Sequence, residues 1–143
     1  MKNVIYNKEA FVQSALFNGS LLEYPTGAML GTDIDLIAER RGNFVVAETK
    51  KFWDGKATIP FGQQLMLKRL NQQLENSTMF YIATDSYNAT NPDDHIWYIT
   101  IDELEKNPSQ NQRLLKKEIM HKISKKNFNA LVNNIINGGS LFA

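Results

Sequence analysis

Apolar positions along the chain switch between helical and strand spacing, and the switches divide it into segments. Asn7 precedes a stretch in which Phe11 and Ala15, and Val12 and Leu16, recur four apart, and Asn18-Gly19 supplies a left-handed stop, which predicts a first helix. Leu21 to Tyr24 fits a short strand closed by Pro25-Thr26-Gly27. Two longer strands, about 33–39 and 43–51, flank Arg41-Gly42. Pro60 then introduces a second helix, with Leu67, Leu70 and Leu74 as its apolar stripe and Lys68, Arg69 and Gln72 beside it. MFYIAT (79–84) and IWYIT (96–100) read as buried strands separated by the YNATNPDDH loop. The last third reads as helical: a DELEK turn, a basic segment from Gln110, and FNALVNNIIN ending at Gly138-Gly139, with breaks at Asn107-Pro108 and Lys125 to Asn127.

The strands around Arg41-Gly42 carry charges where half-burial is expected. A two-residue turn with glycine second is a common hairpin connection, although arginine fits its first position less well than asparagine or aspartate. A loop of Arg41-Gly42 sets Asp35 opposite Glu48 and Asp33 opposite Lys50, with cross-strand neighbours about 5 Å apart. Alternation then turns Asp35, Glu48 and Lys50 to one face. A three-residue bulged loop would shift this register by one. Two carboxylates held that close raise each other's pKa unless a cation lies between them. Oxygen donors without histidine or cysteine favour Mg²⁺, with Mn²⁺ able to substitute, over zinc.

Composition narrows the field without naming a function. At 143 residues, with 43% hydrophobic and 22% charged positions, the chain fits one globular domain over 1–143, and neither a fibrous nor a wholly disordered protein. The absence of cysteine removes disulfides, thiolate metal sites and cysteine nucleophiles, and suits a cytoplasmic location. No leader-like N-terminus and no bilayer-length apolar run is evident, so neither export nor membrane insertion is expected. The net charge of +1 hides an uneven distribution: six bases against one acid between Gln110 and Lys126, and hence about four net negative charges elsewhere. Arg113, Lys116, Lys117, Lys122, Lys125 and Lys126 form either a solvated helical face or a phosphate-contacting surface.

With these residues in view, the segment GTDIDLIAERRGNFVVAETKK resembles the hairpin of the PD-(D/E)XK nuclease superfamily, above all its small resolvase-like members. The likeness covers about residues 7–84. It implies an α/β fold with a restriction-endonuclease-like mixed sheet flanked by helices, in the order αβββαβ. The core would span about 7–100, followed by a basic helical C-terminal part over about 102–143.

Carried over by position, Asp35 and Glu48 would be metal ligands with the Thr49 carbonyl a third, and Lys50 the catalytic lysine. Glu9 on the first helix matches loosely an acid near the metal. Gln63 matches a glutamine on the helix after the lysine, with Gln64 its competitor. Ile34 stands where the family motif writes proline, and Asp33 shares the face of Asp35. Asp35 is preferred because it pairs with Glu48 under the simplest turn. The implied activity is Mg²⁺-dependent endonucleolytic hydrolysis of DNA by a homodimer, with Lys68 and the six bases after Gln110 contacting the nucleic acid. FNALVNNIIN would serve as the dimer interface or pack on its own sheet. The alternative is an inactive nuclease-fold module that binds nucleic acid or protein.

Other groups carry less. Asp93-Asp94-His95 reads as a solvated turn, His121 as facing solvent or phosphate, and Trp53, Trp97 and Tyr98 as core or rim packing before base stacking. No serine triad and no glycine-rich phosphate loop is present.

Overall fold

The computed structural model describes residues 34–140. The first helix, the Leu21–Tyr24 strand, Glu9 and Asp33 lie outside the described residues.

The hairpin forms as its pattern requires. β1 (Leu36–Arg40) pairs antiparallel with β2 (Asn43–Lys51) in an unbroken register from Arg40↔Asn43 to Leu36↔Ala47. Arg41 (φ 53°) and Gly42 (φ 85°) both occupy the left-handed region, as a primed two-residue turn demands. The extrapolated next pair is Asp35 against Glu48, and β1 begins one residue after Asp35.

β2 is the spine of a five-stranded mixed sheet of order β1, β2, β4 (Ser77–Thr84), β5 (His95–Thr100) and β7 (His121–Ser124). It runs parallel to β4, in a register that sets Glu48 against Tyr81 and Lys50 against Ala83. Parallel neighbours need a crossover. Here it consists of β3 (Lys56–Thr58) and helix α1 (Phe61–Gln73). Pro60, expected in the first helical turn, is instead the extended residue just before it (ψ 142°), and Asn76 at φ 53° lies in the turn between α1 and β4. β5 (His95–Thr100) returns antiparallel to β4, and α2 (Ile101–Glu105) follows at once, closed by reciprocal hydrogen bonds between Thr100 and Glu103.

The basic segment departs from the expected helix. It forms β6 (Leu114–Lys116) against β3, a 3₁₀ turn (Lys117–Ile119) and β7 (His121–Ser124) against β5. The reason lies in what the segment must cover. Leu115 and Met120 enter the core on one sheet face while Ile123 packs on the other, which a single helix could not arrange. The open edges of β3 and β5 supply the backbone partners. The anticipated break at Lys125–Asn127 is instead a helix start: the Ser124 hydroxyl accepts the Asn127 N–H at 3.1 Å, and α3 (Lys125–Ile136) runs to Gly138 at φ 89°.

Each sheet face has its own core. α1 lays Met66, Leu67, Leu70 and Leu74 over Val46, Met79, Tyr81 and Ile99. α3 lays Phe128, Leu131, Val132 and Ile135 over Val45, Ala47, Phe80 and Ile82. The apolar stripe of α3 is therefore spent on its own sheet. The described residues make a mixed α/β fold with three helices. No described helix is long and apolar enough to cross a membrane.

Candidate functional site

Alternation along β2 points Val46, Glu48 and Lys50 to the α1 face, with Val46 in the core and the two charged groups nearer the strand end. Glu48 is only 6% exposed. A carboxylate this buried needs partners. Gln63, in the first turn of α1, donates from Nε2 to Glu48 Oε1 at 2.7 Å, and Lys50 Nζ stands 3.6 Å from the same oxygen. The amide orientation follows from chemistry, because a carboxylate oxygen only accepts. Gln64 makes no side-chain hydrogen bond among the described residues, and its backbone N–H donates to the Pro60 carbonyl.

Two acceptors are left over. Glu48 Oε2 and Gln63 Oε1 are both buried without a hydrogen-bond partner among the described residues. Burial and then the charge of Asp35 raise the Glu48 pKa, while Lys50 and the Gln63 hydrogen bond pull it down. Tyr81, beside Glu48 on β4, has its hydroxyl pKa pushed well up by burial and by the charges of Glu48 and Glu105.

Asp35 is exposed and held at the open end of the hairpin. Its Oδ2 accepts from the Thr49 N–H at 2.8 Å and the Thr49 hydroxyl at 3.0 Å. Hydrogen-bonded and open pairs alternate in an antiparallel ladder. The Thr49 N–H and carbonyl therefore both face the β1 edge, beyond the last pair, where Asp35 stands. Asp35, Glu48, Thr49, Lys50 and Gln63 thus meet at one end of β2, whereas Glu9 lies outside the described residues.

This donor set fits a hard divalent cation. It offers the Asp35 and Glu48 carboxylates, the Thr49 backbone carbonyl and the Gln63 side-chain oxygen, all oxygen. Among the described residues no group of three or more histidine, cysteine, aspartate or glutamate side chains converges. Mg²⁺ is commonly held by one or two carboxylates together with water and substrate phosphate, so two suffice.

The basic residues are dispersed rather than aligned on one helix. Lys50, Ala83, Trp97 and Lys122 form one row across β2, β4, β5 and β7 on the α1 face. Lys117 Nζ lies 4.2 Å over the Trp97 ring and 2.9 Å from Asp85. Lys116 is the direct cross-strand neighbour of Lys56. Arg113 donates to the Ile59 carbonyl at 3.0 Å and leans on Phe61. Lys68 is half-buried on α1, and Lys125 and Lys126 open α3 beside Thr90 and Pro92.

Asp94 accepts from the Asn91 N–H within a surface turn, His121 hydrogen-bonds Glu103 at 2.5 Å, and Trp97 and Tyr98 pack edge-on against Phe52 and Phe80. Trp53 differs from expectation: it is 73% exposed. The signal for its placement was Asp54-Gly55, a strong tight-turn dipeptide directly after a strand. Compared with protein-family models and with curated proteins, the chain matches none.

Proposed function

We propose that the chain is a Mg²⁺-dependent nuclease hydrolysing phosphodiester bonds of DNA, with a restriction-endonuclease-like core of the PD-(D/E)XK kind. The observation that carries this reading is the pair of buried, donorless oxygens, Glu48 Oε2 and Gln63 Oε1, beside Asp35 and Lys50. The mixed sheet supports it further: a hairpin feeds a strand that is parallel to its neighbour through a helix bearing Gln63.

Asp35, Glu48 and the Thr49 carbonyl would hold the cation. When bound, it supplies Lewis-acid polarisation of a phosphate and a lowered pKa for an attacking water. The chain's own groups do the positioning. Thr49 fixes the Asp35 carboxylate through two hydrogen bonds, and Gln63 fixes that of Glu48. Lys50, one-fifth exposed at its side chain, directs an ammonium from the buried pair toward solvent, where it can orient water or offset charge on a phosphate oxygen. Lys116, Lys117 and Lys122 supply affinity independent of sequence that falls with salt. Cutting both strands of a duplex calls for two centres, which a two-fold homodimer would provide.

The test is cleavage of labelled single-stranded, duplex, flapped and four-way DNA with Mg²⁺ and with Mn²⁺, set against Asp35→Ala, Glu48→Ala and Lys50→Ala. Wild-type cutting that EDTA abolishes, and that each variant lowers roughly 100-fold or more, is expected. Equal cutting by wild type and variants overturns the enzyme reading. Salt-dependent binding with no cutting of any substrate would leave a binding module in its place.

A further inference from the structure

Beyond Lys50, β2 ends in a second tight turn. Asp54 (φ 55°) and Gly55 (φ 76°) both take left-handed backbone, and Trp53 and Lys56 exchange backbone hydrogen bonds of 2.8 and 3.1 Å around them. This is a primed turn, so the Trp53 backbone is firmly held. Its indole nonetheless stays in solvent at 73% exposure, with Lys51 Nζ 4.4 Å over the ring. Tyr87, from the loop after β4, is 62% exposed.

Both aromatics line one cleft of about 560 Å³ together with Lys50, Lys51, Lys56, Thr58 and Leu114. Among the described residues its wall carries three lysines and no acid. Lys56 also stands directly opposite Lys116, a like-charge pairing unfavourable in a ladder, with Asp54 and Glu118 lining the adjoining pocket.

Resting on the nuclease reading above, we infer that this cleft holds an unpaired stretch of the nucleic-acid strand, with a base stacked on Trp53 and Tyr87 and its phosphates along Lys51 and Lys56. Three features select that occupant. Exposed aromatic faces beside lysines are the platform on which single strands stack. A base inside a duplex already has both faces covered, so it cannot use such a platform. Lys50 belongs both to the cleft and to the Glu48 site, so a strand lying in the cleft leads to the carboxylates. The substrate class is then DNA with a single-stranded part, such as a flap, a splayed end or an open junction, rather than uninterrupted duplex.

The experiment is anisotropy of fluorescein-labelled oligothymidylate and of a blunt duplex of equal length, in EDTA, with the full chain. Wild type is expected to prefer the unpaired strand. Trp53→Ala should weaken that complex roughly tenfold, and Trp53→Phe should recover most of the loss. Indole emission should be quenched by oligothymidylate in wild type and unchanged in Trp53→Phe, a readout that does not depend on how well the alanine variant folds. Equal affinity of wild type and Trp53→Ala for the unpaired strand, absence of quenching, or equal competition by an acidic peptide overturns the inference. If wild type cuts DNA and Trp53 proves indifferent, the cleft fails and the nuclease stands. If nothing is cut while Trp53 is quenched, the nuclease fails and strand binding stands.

Discussion

Gln63 reaches from α1 to Glu48 on β2, Nε2 to Oε1 at 2.7 Å, and each residue keeps one further oxygen buried without a donor among the described residues. Unpartnered buried acceptors are costly, of order 1–3 kcal/mol each. Under the proposed reading, a cation reaching both oxygens would offset that cost.

Filling the site should therefore stabilise the chain. If Mg²⁺ binds as proposed, at about 100 times its dissociation constant it would add about 2.7 kcal/mol. For a domain of this size that raises Tm by several degrees. Glu48→Gln should melt higher than wild type in EDTA and gain little from Mg²⁺, as scanning calorimetry would record. A Tm indifferent to Mg²⁺ in wild type counts against the cation.

Two carboxyls should shape the pH profile with opposite signs. The Glu48 pKa is raised above its ordinary 4.5, so the folded state keeps that proton longer. Its contribution is fully present below 4.5 and is lost as pH rises through the raised value. For Glu103, burial raises the pKa, yet hydrogen bonds from His121 and Thr100 bring it below 4.5. Its contribution is present above 4.5 and is lost as pH falls through the lowered value. Urea titrations in EDTA should show Glu48→Gln flattening the upper limb and Glu103→Gln flattening the acid limb.

Arg41 occupies a left-handed position that suits asparagine or glycine better. Arg41→Asn should stabilise by about 0.5–1 kcal/mol, whereas Gly42→Ala, at φ 85°, should destabilise by about 1 kcal/mol or more. Equilibrium unfolding midpoints measure both.

Leu115 is fully buried in β6, where a helical face had been expected. Leu115→Ala should cost about 2–5 kcal/mol. A surface helix would lose far less, so the denaturation midpoint tests the strand assignment directly.

Lys116→Ala removes the like-charge pairing with Lys56 and should leave the free chain as stable or a few tenths of a kcal/mol more so. The same change should weaken nucleic-acid binding across all sequences and lower the slope of log affinity against log salt by about one. Binding titrations at several salt concentrations give that slope.

The hairpin and its acids were legible because strand alternation and a two-residue turn fix register together: Asp35, Glu48 and Lys50 follow by counting from Arg41-Gly42. Gln63 was pointed to only by the resemblance, with Gln64 its competitor, and it is the hydrogen bond to Glu48 that separates the two. The segment after Gln110 was not. Its leucines and isoleucines suit a helix by spacing, and its strand state is decided by the edges of β3 and β5, which local sequence does not reveal. The apolar face of α3 was visible, but whether it met its own sheet or a second copy depended on Val45 and Phe80 forming a complementary surface. Trp53 was read as core or rim packing, but the Asp54-Gly55 turn carries its indole past the sheet end into solvent.

The Arg41-Gly42 turn also acts as a gauge. Five consecutive pairs separate it from Asp35, so one residue added between Arg40 and Asn43 would swing that carboxylate to the α3 side. Glu48, fixed by β4 and Gln63, would stay where it is. Such a chain would fold around an intact core yet carry only half a cradle, which makes the length of this turn a stricter requirement than the identity of its residues.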